Sequence, residues 1–180
     1  MDTGIREMQP GEQERVIDYF LNAGPDLLHD MGVDPDRLPD HKTWDALICD
    51  DFGAPLRQRK FYYLFWEVEG RAVGHSNINK IVYGQEAYMH LHVWSGALRR
   101  KGLGWPLARQ CISRYFERFA LRRLLCEPRA ENPGPNKTLK GLGFCLARTY
   151  DTVPGWINSR QTVNQWVMTR EDWASRTIQA

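Results

Sequence analysis

Residues 88–104 constrain the fold of this chain most, because they combine a strand, a glycine-containing turn and a strongly periodic helix. Residues 88–94 (YMHLHVW) are rich in aromatic and β-branched side chains, which predicts a β-strand. The helix that follows the turn has two rows of apolar side chains at a spacing of four, so both rows share one face. These rows are Leu103, Leu107, Cys111, Tyr115 and Phe119, and Ala108, Ile112, Phe116 and Ala120.

The turn between this strand and this helix has the composition of an anion site. Three basic residues, Arg99, Arg100 and Lys101, precede Gly102 and Gly104. The first turn of a helix presents N–H groups without partners in the helix, and the helix dipole favours an anion there. Glycine lets the backbone approach such an anion closely. The turn therefore predicts phosphate binding, although a solvated basic turn that caps an ordinary helix would have the same composition.

Two common phosphate motifs do not match this turn. The dinucleotide fingerprint needs a third glycine where Leu107 stands. The P-loop needs Gly-Lys-Ser/Thr after its spacer, and the chain has none there. What remains is Arg-x-x-Gly-x-Gly between a strand and a helix.

The remaining patterns predict one domain, residues 1–180, of the α/β class. The predicted order is β-α-α-β-β-β-α-β-α-β-β, with segment 26–51 irregular apart from a short helix near 41–49. Hairpin-connected strands followed by strand–helix alternation imply a mixed sheet of about seven strands with helices on both faces. At 180 residues and 42% hydrophobic, the chain is long enough to bury a proper core.

A second motif lies at the end of the chain's next strand–helix unit. Asn132 begins a loop and helix that end in Gly143-Phe144. Together with Arg-x-x-Gly-x-Gly, this spacing resembles the GNAT superfamily of N-acetyltransferases, and the second motif is most similar to its ribosomal-protein N-terminal acetyltransferase branch. The resemblance covers most of the chain, and it implies a GNAT-like fold.

The resemblance also implies a co-substrate, acetyl-CoA, and an acetyl transfer to a primary amine of a small molecule or peptide. A backbone N–H late in the central strand would polarise the thioester carbonyl, and Asn132 would bond the pantetheine arm, although asparagine is also a favoured helix N-cap. The implied cofactor-binding residues are Val93, Trp94, Arg99, Arg100, Lys101, Gly102, Leu103, Gly104, Asn132, Asn136 and Lys137.

The chain departs from the superfamily pattern at two positions. Leu139 stands where members with a catalytic tyrosine carry it, and Pro135 stands where the ribosomal-protein branch often has serine. Protonation of the leaving thiolate is therefore open between Tyr150, Tyr88 and water. The departures also leave room for an alternative function, a non-catalytic module of the same fold that senses acyl-CoA.

Three residues of the central strand are candidate proton acceptors. Side chains alternate along a strand, so His90 and His92 point to the same face as Tyr88. Imidazole titrates near neutral pH, which suits a general base, although a histidine on a half-buried strand is more often structural. Glu86, at the start of the strand and on the same face, is the competing base.

Composition limits the partners and the location of the protein. Net charge is only +2, which does not favour nucleic acid, and no run of 18 apolar residues is long enough for a membrane span. Four widely spaced cysteines indicate buried thiols in a reducing cytoplasm and not a disulfide frame or a metal site. The eight aspartates of segment 26–51 would attract a cationic amine if they face the site, but they are equally typical of helix caps. The quaternary state is expected to be a monomer or a homodimer.

Overall fold

The computed structural model describes residues 2–94 and 104–178 of the 180-residue chain. Its strands are β1 (Thr3–Glu7), β2 (Phe61–Val68), β3 (Arg71–Val82), β4 (Glu86–Val93), β5 (Arg123–Cys126), β6 (Cys145–Thr152) and β7 (Gln161–Thr169). Its helices are α1 (Glu14–Leu21), α2 (Pro25–Asp30), α3 (His41–Phe52), α4 (Gly104–Arg118), α5 (Pro133–Leu142) and α6 (Arg170–Ile178). Two short 3-10 helices lie at Pro35–Arg37 and Leu56–Gln58.

All seven strands form one mixed sheet in the order β1-β2-β3-β4-β5-β7-β6. Each neighbouring pair is antiparallel except β4 and β5, which are parallel. The predicted fold class, a mixed sheet of about seven strands, is confirmed.

One face of the sheet packs on α4, as the periodicity of this helix predicts. Leu107, Cys111 and Tyr115 are fully buried and contact the same core as Leu64 and Ile78 of the sheet. Burying a large apolar side chain contributes roughly 1.5–3 kcal/mol, so this face supplies much of the driving force for folding.

The opposite face of β2–β4 is covered by the helices of the first third of the chain. Val16 and Ile17 of α1, Leu28 of α2 and Trp44 of α3 pack there against Phe65 of β2. Beneath them, β3 and β4 carry a row of polar side chains, which is unusual for a covered sheet face.

Segment 26–51 is more regular than predicted. Gly24-Pro25 begins α2 with proline at a first-turn position, and Asp40 caps α3 by accepting from the N–H of Thr43 at 2.7 Å. The helix predicted near 41–49 is present as α3, whereas α2 and the 3-10 helix at Pro35–Arg37 were not predicted. The C-terminal α6 was not predicted either.

The prediction that all four cysteines are buried is wrong for two of them. Cys111 and Cys126 are buried, whereas Cys49 and Cys145 are exposed because α3 and β6 turn those positions outward. Among the described residues, no helix is long and apolar enough to cross a membrane. No group of three potential metal ligands occurs in the described ranges.

Candidate functional site

The two parallel strands at the centre of the sheet separate after a short ladder. Glu86, Ala87 and Tyr88 of β4 pair with the first residues of β5, and the pairing ends there, while β4 continues to Val93. The thiol of Cys126 lies near the backbone of Met89, just past the last pair. Among the described residues, the rest of β4 has no strand paired with it on the β5 side, and we call this open side, towards the carboxyl ends of the strands, the β4–β5 wedge.

Backbone groups of β4 point into this wedge. The N–H of Trp94 donates to the carbonyl of Val73 in β3 at 3.0 Å. N–H groups alternate sides along a strand, so the N–H groups of the even-numbered residues of β4 point to β3. The N–H of Leu91 therefore points to the β5 side. Leu91 therefore directs a hydrogen-bond donor into the wedge.

Helix α4 begins above the same end of the sheet. It joins parallel strands, so it must start at the carboxyl edge of β4 and return to the amino end of β5. A Cβ at Gly104 would lie 3.8 Å from the side chain of Trp66. Trp66 pairs with Gly74 of β3, and Gly74 pairs with Val93 at the end of β4. The helix N-terminus, with its preference for anions, is therefore adjacent to the mouth of the wedge.

Most of the predicted phosphate-binding turn lies outside the described residues. This applies to Arg99, Arg100, Lys101, Gly102 and Leu103, whose roles stay predictions. Gly104 is the first residue of α4, and Val93 and Trp94 lie at the end of β4. The indole N–H of Trp94 donates to Nδ1 of His75 at 2.8 Å.

His90 and His92 line a small cavity on the polar face of the sheet. The cavity has a volume of about 110 Å³, and its polar walls come from β3 and β4. Strand register sets His75 opposite His92 and Asn77 opposite His90. The rings of His75 and His92 stack with centroids 4.7 Å apart. His90 and His92 were predicted to share one face of β4, and because they do, both reach the same cavity.

Several polar atoms of this cavity have no hydrogen-bond partner among the described residues. They are Nε2 of the fully buried His75, Nε2 of His90 and Oδ1 of Asn79. Because Nδ1 of His75 accepts from Trp94, its Nε2 carries the proton when the ring is neutral. Buried polar atoms are almost always paired, so these three indicate a place for a ligand or for water.

Burial keeps the imidazoles of His75 and His90 uncharged. It lowers the pKa of His75 well below the usual 6.5. It also lowers the pKa of His90 to about 4, with a further contribution from the charge of Lys80. His90 was expected to titrate near neutral pH, and this expectation does not hold. Its imidazole is neutral throughout the physiological pH range.

Glu86 does not join the histidines. Its carboxylate accepts from Nε of Arg123 at 2.7 Å in an ion pair at the start of the β4–β5 ladder. At about 3.3 Å per residue, Glu86 and His90 are separated by roughly 13 Å along the strand. The structure thus places the competing base at the opposite end of β4 from His92.

A second polar cluster, which the sequence analysis missed, lies across the wedge. Glu127 follows β5 directly, and its Oε1 accepts from the hydroxyl of Tyr150 and, at 2.7 Å, from the amide of Gln165. Burial, followed by the nearby Glu127, raises the pKa of Tyr150 to about 12. The same two causes raise the pKa of Tyr88. Glu127 could have been found from its position after a buried strand, where side chains of parallel sheets often form sites.

The second motif forms the start of α5, and its asparagines are held by the protein. Asn132 caps the helix by accepting from the N–H of Gly134 at 3.2 Å, and it donates to the carbonyl of Asp30 in α2 at 2.9 Å. Lys137 is exposed. Leu139, at the position of the superfamily's tyrosine, is buried in the core. The N-cap interpretation of Asn132 is therefore observed, and its contact with pantetheine stays a prediction.

Asn136 joins α5 to the rest of the sheet. Its amide group donates to the carbonyls of Arg129 at 3.0 Å and Asn132 at 2.7 Å. Its oxygen accepts from Asn164 at 2.9 Å and from the indole of Trp166 at 2.8 Å. Both donors and the acceptor are fully used, which indicates a structural role for a residue expected to bind the cofactor.

The acidic segment walls the cavity with apolar residues. Met31, Val33 and Trp44 line it, while none of the segment's carboxylates does. Asp34 and Asp40 instead cap helices, as the second interpretation of the segment predicts.

Comparison with known proteins settles the family. A profile described as the acetyltransferase (GNAT) family matches residues 26–144, which is more than half of the chain. The chain belongs to the GNAT acetyltransferase family. A comparison of the sequence with curated proteins finds no match.

Solved structures of acetyltransferases share the fold of this GNAT chain at low sequence identity. A spermidine N-acetyltransferase from Vibrio cholerae, in complex with CoA and spermine, has a TM-score of 0.77 at 15% identity over 96% of this chain and 98% of its own. A ribosomal-protein α-N-acetyltransferase in complex with coenzyme A has a TM-score of 0.74 at 14% identity, covering 94% and 95%. A putative acetyltransferase from Salmonella typhimurium, with acetyl-CoA, has a TM-score of 0.70 at 16% identity, covering 94% of both chains.

Replacing Asn136 by alanine should destabilise the protein. The change leaves the Trp166 indole and two backbone carbonyls without their partner, and each unsatisfied buried group costs about 1–3 kcal/mol. Urea unfolding should show a lower midpoint for Asn136→Ala, while the neighbouring exposed position, Lys137→Ala, should unfold like the parent. Equal midpoints for all three proteins would contradict the structural role.

Proposed function

We propose that this protein is an acetyl-CoA-dependent N-acetyltransferase that acetylates a primary amine of a small molecule or peptide. The observation that carries the proposal is the β4–β5 wedge, which has a backbone donor inside it, a helix N-terminus at its mouth and a histidine-lined cavity beside it. Family membership and the CoA complexes of structurally similar acetyltransferases support the same conclusion.

The cofactor would lie along the wedge. The pyrophosphate would approach the N-terminus of α4 at Gly104, where N–H groups and the helix dipole favour an anion. The pantetheine arm would take the place of the strand contacts that β4 and β5 no longer make. The N–H of Leu91 would then be positioned to donate to an amide or to the thioester carbonyl, whose oxygen gains charge in the transition state.

The amine would reach the thioester from the histidine cavity. Its nitrogen attacks the carbonyl carbon, the new C–N bond forms, and the C–S bond breaks to release the thiolate of CoA. One proton must leave the nitrogen, and one must reach the sulfur. Among the candidates, His90 has an unpartnered Nε2 on the cavity, whereas one carboxylate oxygen of Glu127 is already held by Tyr150 and Gln165.

Tyr150 is the stronger candidate for protonating the thiolate. Its raised pKa keeps the hydroxyl protonated at neutral pH, and the phenolate left after donation would be reprotonated from solvent. Leu139 offers no such group from the core, and Tyr88 of β4 and water are the other candidates.

The alternative function is a non-catalytic module that senses acyl-CoA. The missing tyrosine and serine at positions 139 and 135 are the feature that favours it. A thiol-release assay with acetyl-CoA and a panel of amines separates the two functions. Turnover with any amine excludes the sensing module, and CoA binding without turnover supports it.

Replacing Gly104 by aspartate should weaken CoA binding. The added carboxylate would face the pyrophosphate at the helix N-terminus, and calorimetry should show affinity at least about tenfold lower, or ~1.4 kcal/mol. Gly104→Ala is the matched control, because a Cβ there meets only Trp66 at an ordinary contact distance of 3.8 Å. Unchanged affinity for CoA in a folded Gly104→Asp protein would contradict a phosphate site at the N-terminus of α4.

Replacing His90 by alanine should lower kcat/KM by about 10²–10⁴-fold if His90 accepts the proton. Because its pKa is about 4, the accepting form is present above that pH and is lost below it. The acid limb of the parent's pH profile should therefore fall near pH 4 and not near 6.5. His92→Ala and Glu127→Gln serve as comparisons, and a larger loss for Glu127→Gln than for His90→Ala would make Glu127 the base.

A further inference from the structure

The walls of the histidine cavity are aromatic as well as polar. The rings of Phe20, Trp44, Phe61, Tyr63 and Trp156 line it together with the imidazoles and amides of β3 and β4. Trp156 lies partly in solvent at 46% exposure and packs edge-on against Trp44, with centroids 5.8 Å apart. A cavity of about 110 Å³ with such walls matches a single flat ring, since an engineered apolar cavity of about 150 Å³ holds benzene.

Among the described residues, no carboxylate lines this cavity. Three acidic residues are next in sequence to a lining residue. Asp34 accepts from the N–H of Asp36 at 3.2 Å, Asp45 accepts from Gln13 at 2.8 Å, and the side chain of Asp30 is 70% exposed. A protonated amine that enters the cavity would therefore find no counter-ion on its walls.

A nearby cation makes the cavity still less suitable for an ammonium group. Lys80 lies 4.4 Å from the ring centroid of Tyr88, and its charge is one cause of the lowered pKa of His90. Burying an unpaired ammonium is costly, and a cation–π contact with the aromatic wall offsets only part of that cost. A polyamine carries several ammonium groups, and this cost would apply to each one that is buried.

The unpartnered polar atoms indicate which hydrogen-bonding groups a bound ring should have. Nε2 of His75 is a donor fixed in position by Trp94, and Oδ1 of Asn79 is an acceptor. His75 is fully buried, so its N–H gains a partner only from a molecule inside the cavity. A ring with both an acceptor and an N–H or NH₂ donor would satisfy both atoms.

We propose that the acceptor substrate is a small aromatic or heteroaromatic amine whose nitrogen is uncharged at neutral pH, with its ring in the histidine cavity and a ring acceptor on Nε2 of His75. This inference rests on the acetyltransferase function proposed above and names its substrate class. Trp44 and Trp156 form the aromatic wall, and His75 is a positioning residue.

Such a substrate also fits the weak base available in the cavity. An uncharged arylamine nitrogen attacks with its lone pair and needs no prior deprotonation. The proton is lost only after the C–N bond has formed, when the nitrogen is positively charged and strongly acidic. It can then pass to a neutral imidazole as weak as His90, and the released thiolate takes up a proton to give CoA and the N-aryl acetamide.

The test compares matched amines in a thiol-release assay with the full chain and acetyl-CoA. The panel holds 2-aminopyridine, aniline, cyclohexylamine and spermidine. Aniline lacks the ring acceptor of 2-aminopyridine, cyclohexylamine is a charged amine on a non-aromatic ring, and spermidine carries several charges. We expect kcat/KM to be at least about tenfold higher for aniline than for cyclohexylamine or spermidine, and higher again for 2-aminopyridine.

Two variants test the wall of the cavity. Trp156→Ala should raise KM for the arylamine at least about tenfold and leave KM for acetyl-CoA unchanged. Leu146→Ala, at a similarly exposed apolar position away from the cavity, is the control and should change neither constant.

The outcomes separate this inference from the proposed function. Turnover that favours spermidine or cyclohexylamine, or an arylamine KM that Trp156→Ala does not change, overturns the substrate class and leaves the acetyltransferase function standing. No thiol release with any amine, by contrast, contradicts the acetyltransferase function itself.

Discussion

Parallel strands cannot be joined by a tight turn, and in this chain the connection between β4 and β5 is α4. The crossover sets the start of α4 at the carboxyl end of β4, where the parallel ladder has already ended at Tyr88. A separated pair of strands and a helix N-terminus thus meet at one edge of the sheet. The fully buried face of α4, from Leu107 to Tyr115, holds this arrangement in place.

The other face of the sheet has a different physical character. Three helices cover β2–β4 there, yet β3 and β4 present His75, Asn77 and His90 beneath them. A covered polar row is stable only when its groups are paired, and His75 is paired on one nitrogen only. The cost of leaving Nε2 unpartnered is the physical basis for assigning this face to a ligand.

Strong periodicity made much of the fold predictable from the sequence. The buried positions of α4 from Leu107 to Phe116 and the aromatic and β-branched run of β4 lie where the patterns predict them, and Asn132 and Gly143 bound α5. Ala120, which was predicted on the same helix face, lies beyond the end of α4 and is exposed. The expectation of a single domain over residues 1–180 stays a prediction. The phosphate-binding turn, apart from Gly104, lies outside the residues that the structure describes.

The remaining features depend on contacts between distant residues, which no local pattern reveals. The position of Glu127 after a buried strand is visible in the sequence, but its contacts with Tyr150 and Gln165 form only because β6 and β7 bring those residues to it. Asn136 was expected to bind the cofactor, but β7 supplies it with Asn164 and Trp166 as partners. Burial likewise decides that His90 titrates near 4, which the sequence position of a histidine does not disclose.

The central claim is that the β4–β5 wedge holds the cofactor and directs its thioester to the histidine cavity. A crystal structure of the protein with CoA tests this claim most directly. We predict that the pantetheine chain lies between Leu91 and Cys126, with the pyrophosphate at the N-terminus of α4 and the sulfur at the mouth of the cavity. Density for CoA elsewhere on the protein, with the wedge left empty at saturating CoA, would contradict the account.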